Sequence, residues 1–378
     1  MHDPYDYDCV IVGGGPAGIG MASVLQDMGM PRFTVLERSE VGATFLAWPE
    51  EMRLITPSFT SNAYGMMDLN AVALNTSPAY TLGTEHPTGL EYAKYLQVVS
   101  QFKKLPVQTG VDVTEVIPEE NSFQVVTSIG QMRTRYVIWA AGEFQYPRLD
   151  LFPGAEYGVH SSLFSSWTLV QGEECVIVGG YESGVDAAIH LSKLGKNVTV
   201  IDRNGRGLAK GSSDPSVELS PYTKDRLRAA MMDKRIHMMQ GYEVKWIEPD
   251  ETGGYVLYCE NDSGESHLLK TGQAPILATG FRSSLQLIEN LVERNKEGQL
   301  QLGAADESTI APGLFITGPQ VMHGQLQFCF IYKFRQRFAV VAQAMGERLG
   351  LDLAPLETYR KEGMFLDDLS CCGEDCTC

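Results

Sequence analysis

Two glycine-rich segments of the same construction, far apart in the chain, constrain this sequence more than any other feature. The first reads Val10-Ile11-Val12-Gly13-Gly14-Gly15-Pro16-Ala17-Gly18, the second Val176-Ile177-Val178-Gly179-Gly180-Tyr181-Glu182-Ser183-Gly184. In each, an apolar run of buried-strand character leads through glycines into a helical pattern. Gly13 permits a tight turn, Gly15 lets backbone approach a pyrophosphate, and Gly18 lets the helix pack on its strand. Helix N–H groups and the helix dipole, carried from Pro16 and Ala17 onward, then face the phosphates. The spacing predicts a helix over 16–28 and a strand over 33–36 ending in Glu37, about twenty residues past the loop, where a carboxylate can bind a ribose diol. A glycine turn that binds nothing is the bland alternative. Strand, loop, helix, strand and acid in order argue against it. Two such units, in the order flavin site then nicotinamide site, point to an electron-transferring flavoprotein.

Bulk properties agree. At 378 residues the chain is too long for one compact core and suits two domains. A net charge of −17 argues against nucleic acid and anionic membrane surfaces as partners. The acidic start, Asp3 and Asp6, has the wrong sign for a secretory signal, and no other segment reads as a membrane span. A cytoplasmic enzyme with a small-molecule substrate is the expectation, and a homodimer is the common default.

The plan of the first unit recurs in the second. After the first loop come a loop-rich stretch, a helix near 88–102, a meander over 113–117, 122–128 and 134–140, and a close-approach segment, Ala140-Ala141-Gly142-Glu143. After the second loop come a helix over 184–194, a strand over 197–201 ending in Asp202, a hairpin over 242–247 and 254–260, and Ala278-Thr279-Gly280. Segment 204–222 reads as a surface loop.

Together with Trp48-Pro49, Arg53, the run Thr56 to Asn62, and Tyr332-Lys333-Phe334-Arg335, these motifs carry a family resemblance across nearly the whole chain. The sequence resembles the two-dinucleotide-binding-domain flavoproteins, and within them bacterial flavin-containing monooxygenases of the pyridine nucleotide-disulfide oxidoreductase type. The resemblance implies an α/β fold of two nested Rossmann-like three-layer dinucleotide-binding domains. FAD would sit in a discontinuous domain, 1–147 and 285–370, and NADPH or NADH in 148–284, with a Cys-rich tail at 371–378. The FAD contacts it implies are Gly13, Gly15, Pro16, Ala17, Gly18, Glu37, Arg38, Trp48, Val113, Ala141, Gly142, Gly318 and Pro319. Gly179, Gly180, Ser183, Gly184 and Arg203 would serve the nicotinamide coenzyme.

Several positions depart from that family. Its Phe-x-Gly-x-x-x-His pattern becomes Phe152-Pro153-Gly154 with His160 two residues late, so His160 is a candidate at the cofactor or an ordinary loop histidine. In the second loop Tyr181 replaces the middle glycine and Glu182 adds a carboxylate, unless both side chains turn away. Asp202 suits NAD, whereas Arg203 and Arg206 suit a 2′-phosphate, so the coenzyme choice stays open. Gly318 is followed by Pro319 where related reductases carry an aspartate, and 327–349 reads as one long amphipathic helix. Its N-terminal N–H groups could stabilise negative charge on reduced flavin.

The cysteines divide the candidate chemistries. Cys9, Cys175 and Cys259 read as buried structural thiols, and Cys329 as the internal thiol to test for flavin contact. No CxxC pair lies in either nucleotide unit, which argues against a redox disulfide beside the flavin. The tail places Cys371, Cys372, Cys376 and Cys378 within eight residues, suited to disulfide relay or a soft metal, although adjacent thiols strain a tetrahedral site. The leading expectation is a monooxygenase: NAD(P)H reduces FAD, O₂ adds, and the oxygenated flavin oxidises a small soft nucleophile. Asn62 is a candidate polar group near the flavin, and Arg53 is the only cation in 43–80, which suggests a neutral substrate. A thiol, disulfide or metal reductase using Cys371 and Cys372 is the alternative, and a FAD-binding redox sensor a third.

Overall fold

The computed structural model describes residues 4–60, 66–205, 216–324 and 326–370. Asn62, Arg206, Cys371, Cys372, Cys376 and Cys378 lie outside these. The chain divides into two compact units, Met1–Leu46 with Pro57–Gln145 and Ser283–Cys378, and Ala47–Thr56 with Tyr146–Arg282. The fold is α/β, two nested Rossmann-like units.

In the first unit, strand Tyr7–Val12 lies inside the sheet. Phe33–Glu37 and then Val107–Thr109 flank it on one side and Gly130–Trp139 on the other, all parallel. Cys9, Val10 and Ile11 are fully buried, as expected of a parallel strand covered on both faces. On its other edge the strand Gly130–Trp139 makes two further pairings. Its first half joins an antiparallel meander with Val113–Glu119 and Ser122–Thr127, while Val137, Ile138 and Trp139 run parallel to Leu314–Ile316. Helix Pro16–Asp27 packs against helix Phe338–Leu349, where Gly20 leaves room for the Phe338 ring that a Cβ would meet at 2.1 Å.

The predicted helix over 327–349 is interrupted. A hairpin, Met322–His323 with Leu326–Gln327, gives way to helix Ile331–Phe334, a 3₁₀ turn at Arg335–Arg337, and helix Phe338–Leu349. Two arginines at the break turn inward. Arg335 donates to the carbonyls of Asp68 and Ala71, and its burial pushes its pKa down to about 10. Arg337, wholly buried, pairs with the equally buried Asp306 at 2.8 Å and donates to the carbonyls of Ala304 and Leu366. Amphipathic periodicity does not register such a cation buried on carbonyl partners.

The second unit repeats the plan with five parallel strands ordered Ile236–Gln240, Asn197–Asp202, Glu174–Val178, Ile276–Leu277, Val159–His160. A three-stranded antiparallel sheet, Tyr242–Pro249, Tyr255–Asn261 and Ser266–Thr271, stands where the first unit has its meander. Of the loop expected over 204–222, residues 206–215 lie outside the described ones, and its last two residues are helical, in helix Pro221–Met231 capped by Ser220. Segment 47–56, with Trp48 and Arg53, belongs to this unit rather than to the first. Glu50 N–H donates to the Ser165 carbonyl, and Glu51 accepts from Ser166 Oγ and Trp167 N–H, which bind the segment there.

Candidate functional site

The two glycine loops have the same geometry, contact for contact. Gly13 N–H donates to the Leu36 carbonyl at 2.8 Å and Gly179 N–H to Ile201 at 2.9 Å. Ala140 N–H donates to Val12 and Ala278 N–H to Val178, so each close-approach strand end is tied beside its loop. Gly13 has φ +110° and Gly179 +112°, and a Cβ would lie 2.5 Å from the Ala140 oxygen or 2.4 Å from the Ala278 oxygen. A Cβ on Gly18 would lie 1.8 Å from the Gly13 oxygen, and on Gly184 1.9 Å from the Gly179 oxygen. Only glycine satisfies both the conformation and the space.

The helices that follow are left open at their N-termini. Helices Pro78–Leu82, Gly89–Phe102 and Pro221–Met231 are closed by the side chains of Ser77, Thr88 and Ser220. Pro16–Asp27 and Glu182–Lys193 have no side-chain cap, and their extended N-cap residues are Gly15 and Tyr181. Uncapped N–H groups with a positive dipole end suit an anion. A Cβ on Gly15 would meet nothing within 4 Å, the space a closely approaching phosphate requires.

Each loop carries an acid at the same place. Glu37 accepts from Gly14 N–H at 2.6 Å and from Ser39 N–H at 2.8 Å. Asp202 lies against Gly180, where an added Cβ would fall 2.5 Å from the Asp202 carboxyl carbon, and accepts from Asn204 N–H. Arg38 is exposed, and Arg203 pairs with Glu243 at 2.9 Å. Val111 N–H donates to the Glu37 carbonyl, so Val113, two residues on, starts its strand close to that acid.

Gly318, at φ +100°, meets the first loop: its Cβ would touch the Ala17 methyl at 3.2 Å, placing Pro319 just beyond. Ala141 lies against Gly13, and the Gly142 carbonyl accepts from Ser284 Oγ and Gln320 Nε2. Thr317 Oγ1 and Gln320 Oε1 are buried beside this junction without a protein partner. Their arrangement comes from residues distant in sequence, and no motif announces Ser284 or Gln320. Glu143, one residue on, is half-buried, and that burial pushes its carboxyl up to about 7.

In the second loop Tyr181 and Glu182 both turn aside. Tyr181 OH donates to the Glu218 carbonyl, and Glu182 accepts from Ser220 N–H and Thr223 Oγ1 at the neighbouring helix start. Burial raises the Glu182 pKa, against those hydrogen bonds. Ser183 and Gly184 follow in the first helical turn.

His160 does not join either loop. It is fully buried, with Nδ1 against Ser162 Oγ at 2.8 Å, Nε2 against the Gly280 carbonyl at 2.9 Å, and its ring edge-on to Phe281. Both nitrogens are engaged by protein groups and burial lowers its pKa, the geometry of the ordinary loop histidine that the sequence also allowed. Trp48, expected at FAD, falls in the second unit with segment 47–56. Cys9, Cys175 and Cys259 are buried, and burial raises each thiol, Cys259 to about 11; Cys329 is half-buried. Among the described residues no group of three potential ligands could hold a metal ion, and no helix is long and apolar enough to cross a membrane.

Two glycine loops opening helices without a side-chain cap, each with an acid at the end of the following strand, are the pattern of an oxidoreductase with two dinucleotide-binding units. The sequence profile of the pyridine nucleotide-disulphide oxidoreductase family matches residues 10–318, and the chain belongs to that family. Bacilliredoxin reductase Bdr of Bacillus subtilis (strain 168) is 26% identical over 312 residues, 82% of this chain and 88% of that one. The bacillithiol disulfide reductase Bdr (YpdA) from Bacillus cereus superposes with a TM-score of 0.70 at 24% identity, over 90% of this chain and 99% of that one. A flavin-containing monooxygenase from Stenotrophomonas maltophilia superposes at 0.67 and 19% identity, over 91% and 99%. At these identities the two structures share the fold.

Proposed function

We propose that the protein is a FAD-dependent oxidoreductase reduced by NAD(P)H, with FAD held by the Gly13–Gly18 loop and the nicotinamide coenzyme by the Gly179–Gly184 loop. The observation that carries this reading is the shared turn and packing geometry of the two loops, each opening a helix with no side-chain cap and each backed by an acid. FAD, when bound, supplies two-electron chemistry, accepting a hydride from the coenzyme and passing electrons onward. The protein's own groups provide the rest. Backbone N–H groups of the first helical turn offset pyrophosphate charge, Glu37 takes the adenosine ribose, and the Ala141-Gly142 backbone and Gly318 admit the cofactor closely. Thr317 Oγ1 and Gln320 Oε1 offer the buried polar contacts left unmet by the protein.

For the acceptor we favour molecular oxygen and a small soft nucleophile, the monooxygenase reading. It is supported by the thiols: Cys9, Cys175 and Cys259 are buried with raised pKa, and thiol–disulfide exchange needs an accessible thiolate. The second reading, a disulfide reductase working through Cys371 and Cys372, is favoured by the Bacillus subtilis relative, itself a bacilliredoxin reductase. One experiment separates them. The purified protein, reduced anaerobically by coenzyme, is mixed with aerated buffer in a stopped-flow instrument. A long-lived absorbance distinct from the oxidised and reduced forms is the expected outcome. Immediate reoxidation, with disulfide-dependent turnover lost in a Cys371→Ser/Cys372→Ser variant, would establish the reductase instead.

A further inference from the structure

Resting on the reading of the second cradle as a nicotinamide-coenzyme site, we propose that this cradle selects NADH over NADPH, with Asp202 as the specificity-determining residue. The sequence sets one acid, Asp202, against two bases, Arg206, which lies outside the described residues, and the adjacent Arg203, and offers no choice between acid and base. The structure separates them. Asp202 is 4% exposed, closes strand Asn197–Asp202, and lies directly over Gly180. Its Oδ1 accepts from Asn204 N–H, two residues on, as Glu37 Oε1 accepts from Ser39 N–H in the first unit. The two carboxylates therefore occupy equivalent places in the two cradles, and the same geometry that suits Glu37 to an unphosphorylated ribose suits Asp202 to one.

Arg203 leaves in another direction. Its guanidinium reaches Glu243 on strand Tyr242–Pro249, and Glu243 is also paired with Lys245. A 2′-phosphate placed at the ribose would bring about two negative charges against a carboxylate fixed by burial. A 2′-hydroxyl would instead donate to that carboxylate in a charge-assisted hydrogen bond. Both effects favour the unphosphorylated coenzyme.

In the redox step, one hydride leaves the NADH ring for the oxidised flavin, one proton from water completes the reduced flavin, and NAD⁺ departs. The test uses the flavin-loaded full chain. Calorimetric titration with NAD⁺ and with NADP⁺ reads binding without turnover, and anaerobic flavin bleaching by NADH and NADPH reads reduction. NAD⁺ is expected to bind tighter by about tenfold or more, with NADH correspondingly more effective in bleaching. In Asp202→Asn, which keeps the side-chain volume and an acceptor for Asn204 N–H, NAD⁺ affinity falls about tenfold while NADP⁺ affinity holds or rises. Equal or tighter NADP⁺ binding by the unaltered protein overturns the inference and leaves the proposed function standing. Unchanged discrimination in a folded Asp202→Asn variant removes Asp202 as its source. Binding and bleaching by neither coenzyme overturn the proposed function, and this inference with it.

Discussion

The first and second glycine loops share their turn and packing glycines and differ most tellingly at the middle residue. In the first loop it is Gly15, open to space; in the second it is Tyr181, in the same extended conformation, with its ring carried to Glu218. Glycine is thus demanded at Gly18 and Gly184 by the loop itself, and at Gly13 and Gly179 by their positive φ and the strand end packed on them. At the middle position it is demanded only by what the loop binds. The contrast separates residues that build a cradle from residues that admit a ligand to it.

The largest expected effect breaks the building half. Gly18→Val puts a Cβ into the Gly13 carbonyl, costing about 3 kcal/mol or more, and should yield protein without flavin or no soluble protein. Gly184→Val carries the same clash in the second unit and should abolish bleaching by NAD(P)H in protein that still purifies yellow. Flavin content and anaerobic bleaching check both.

Next in size is a buried ion pair belonging to one unit. Arg337 and Asp306 are both fully buried, whereas a pair in the second unit, Arg226 with Asp186, keeps some solvent contact. Arg337→Ala strands a buried carboxylate and should cost about 3–5 kcal/mol in chemical denaturation. Arg226→Ala should cost clearly less.

The middle-residue contrast is sharpened by exchange. Gly15→Ala meets no protein atom, so the fold and melting temperature should hold while FAD affinity falls about tenfold. Tyr181→Gly should lose about 1 kcal/mol of stability with its hydrogen bond and packing, yet bind coenzyme no more weakly. Cofactor titration beside thermal melting reads both. A Gly15→Ala protein with unaltered FAD affinity would erase the distinction.

A pH-dependent effect concerns the residue after each close-approach glycine, Glu143 after Gly142 and Phe281 after Gly280. The Glu143 carboxyl is raised to about 7, so between the ordinary carboxylate range and that value the folded state binds the extra proton. Its contribution to stability is full at acidic pH, declines as pH rises toward about 7, and is flat above. Glu143→Gln should remove that decline, leaving a variant more stable than the parent at pH 8 and no more stable in acid. Melting temperatures across pH read the difference.

Much of the fold was legible because its demands are local. The helix expected near 88–102 forms as Gly89–Phe102 on the local capping box of Thr88 with Glu91, and the strands expected over 113–117 and 122–128 form as Val113–Glu119 and Ser122–Thr127. The break at Arg335–Arg337 was not legible, because a cation turned inward reads in sequence like one turned outward. For His160 the spacing from Phe152 left two readings open, and its partners, Ser162 and Gly280, are distant enough from any motif that only the structure names them.

By itself the sequence determined where the backbone must be glycine, where strands are buried on both faces, and where an acid follows each loop. These depend on residue identity and short spacing, since a missing Cβ or an apolar run acts on its immediate neighbours. Only the tertiary structure decided that Tyr181 and Glu182 turn away from their loop, that Arg203 goes to Glu243 while Asp202 stays at Gly180, and that segment 47–56 joins the second unit. A polar side chain's direction is set by the partner it finds, and those partners lie tens of residues away along the chain.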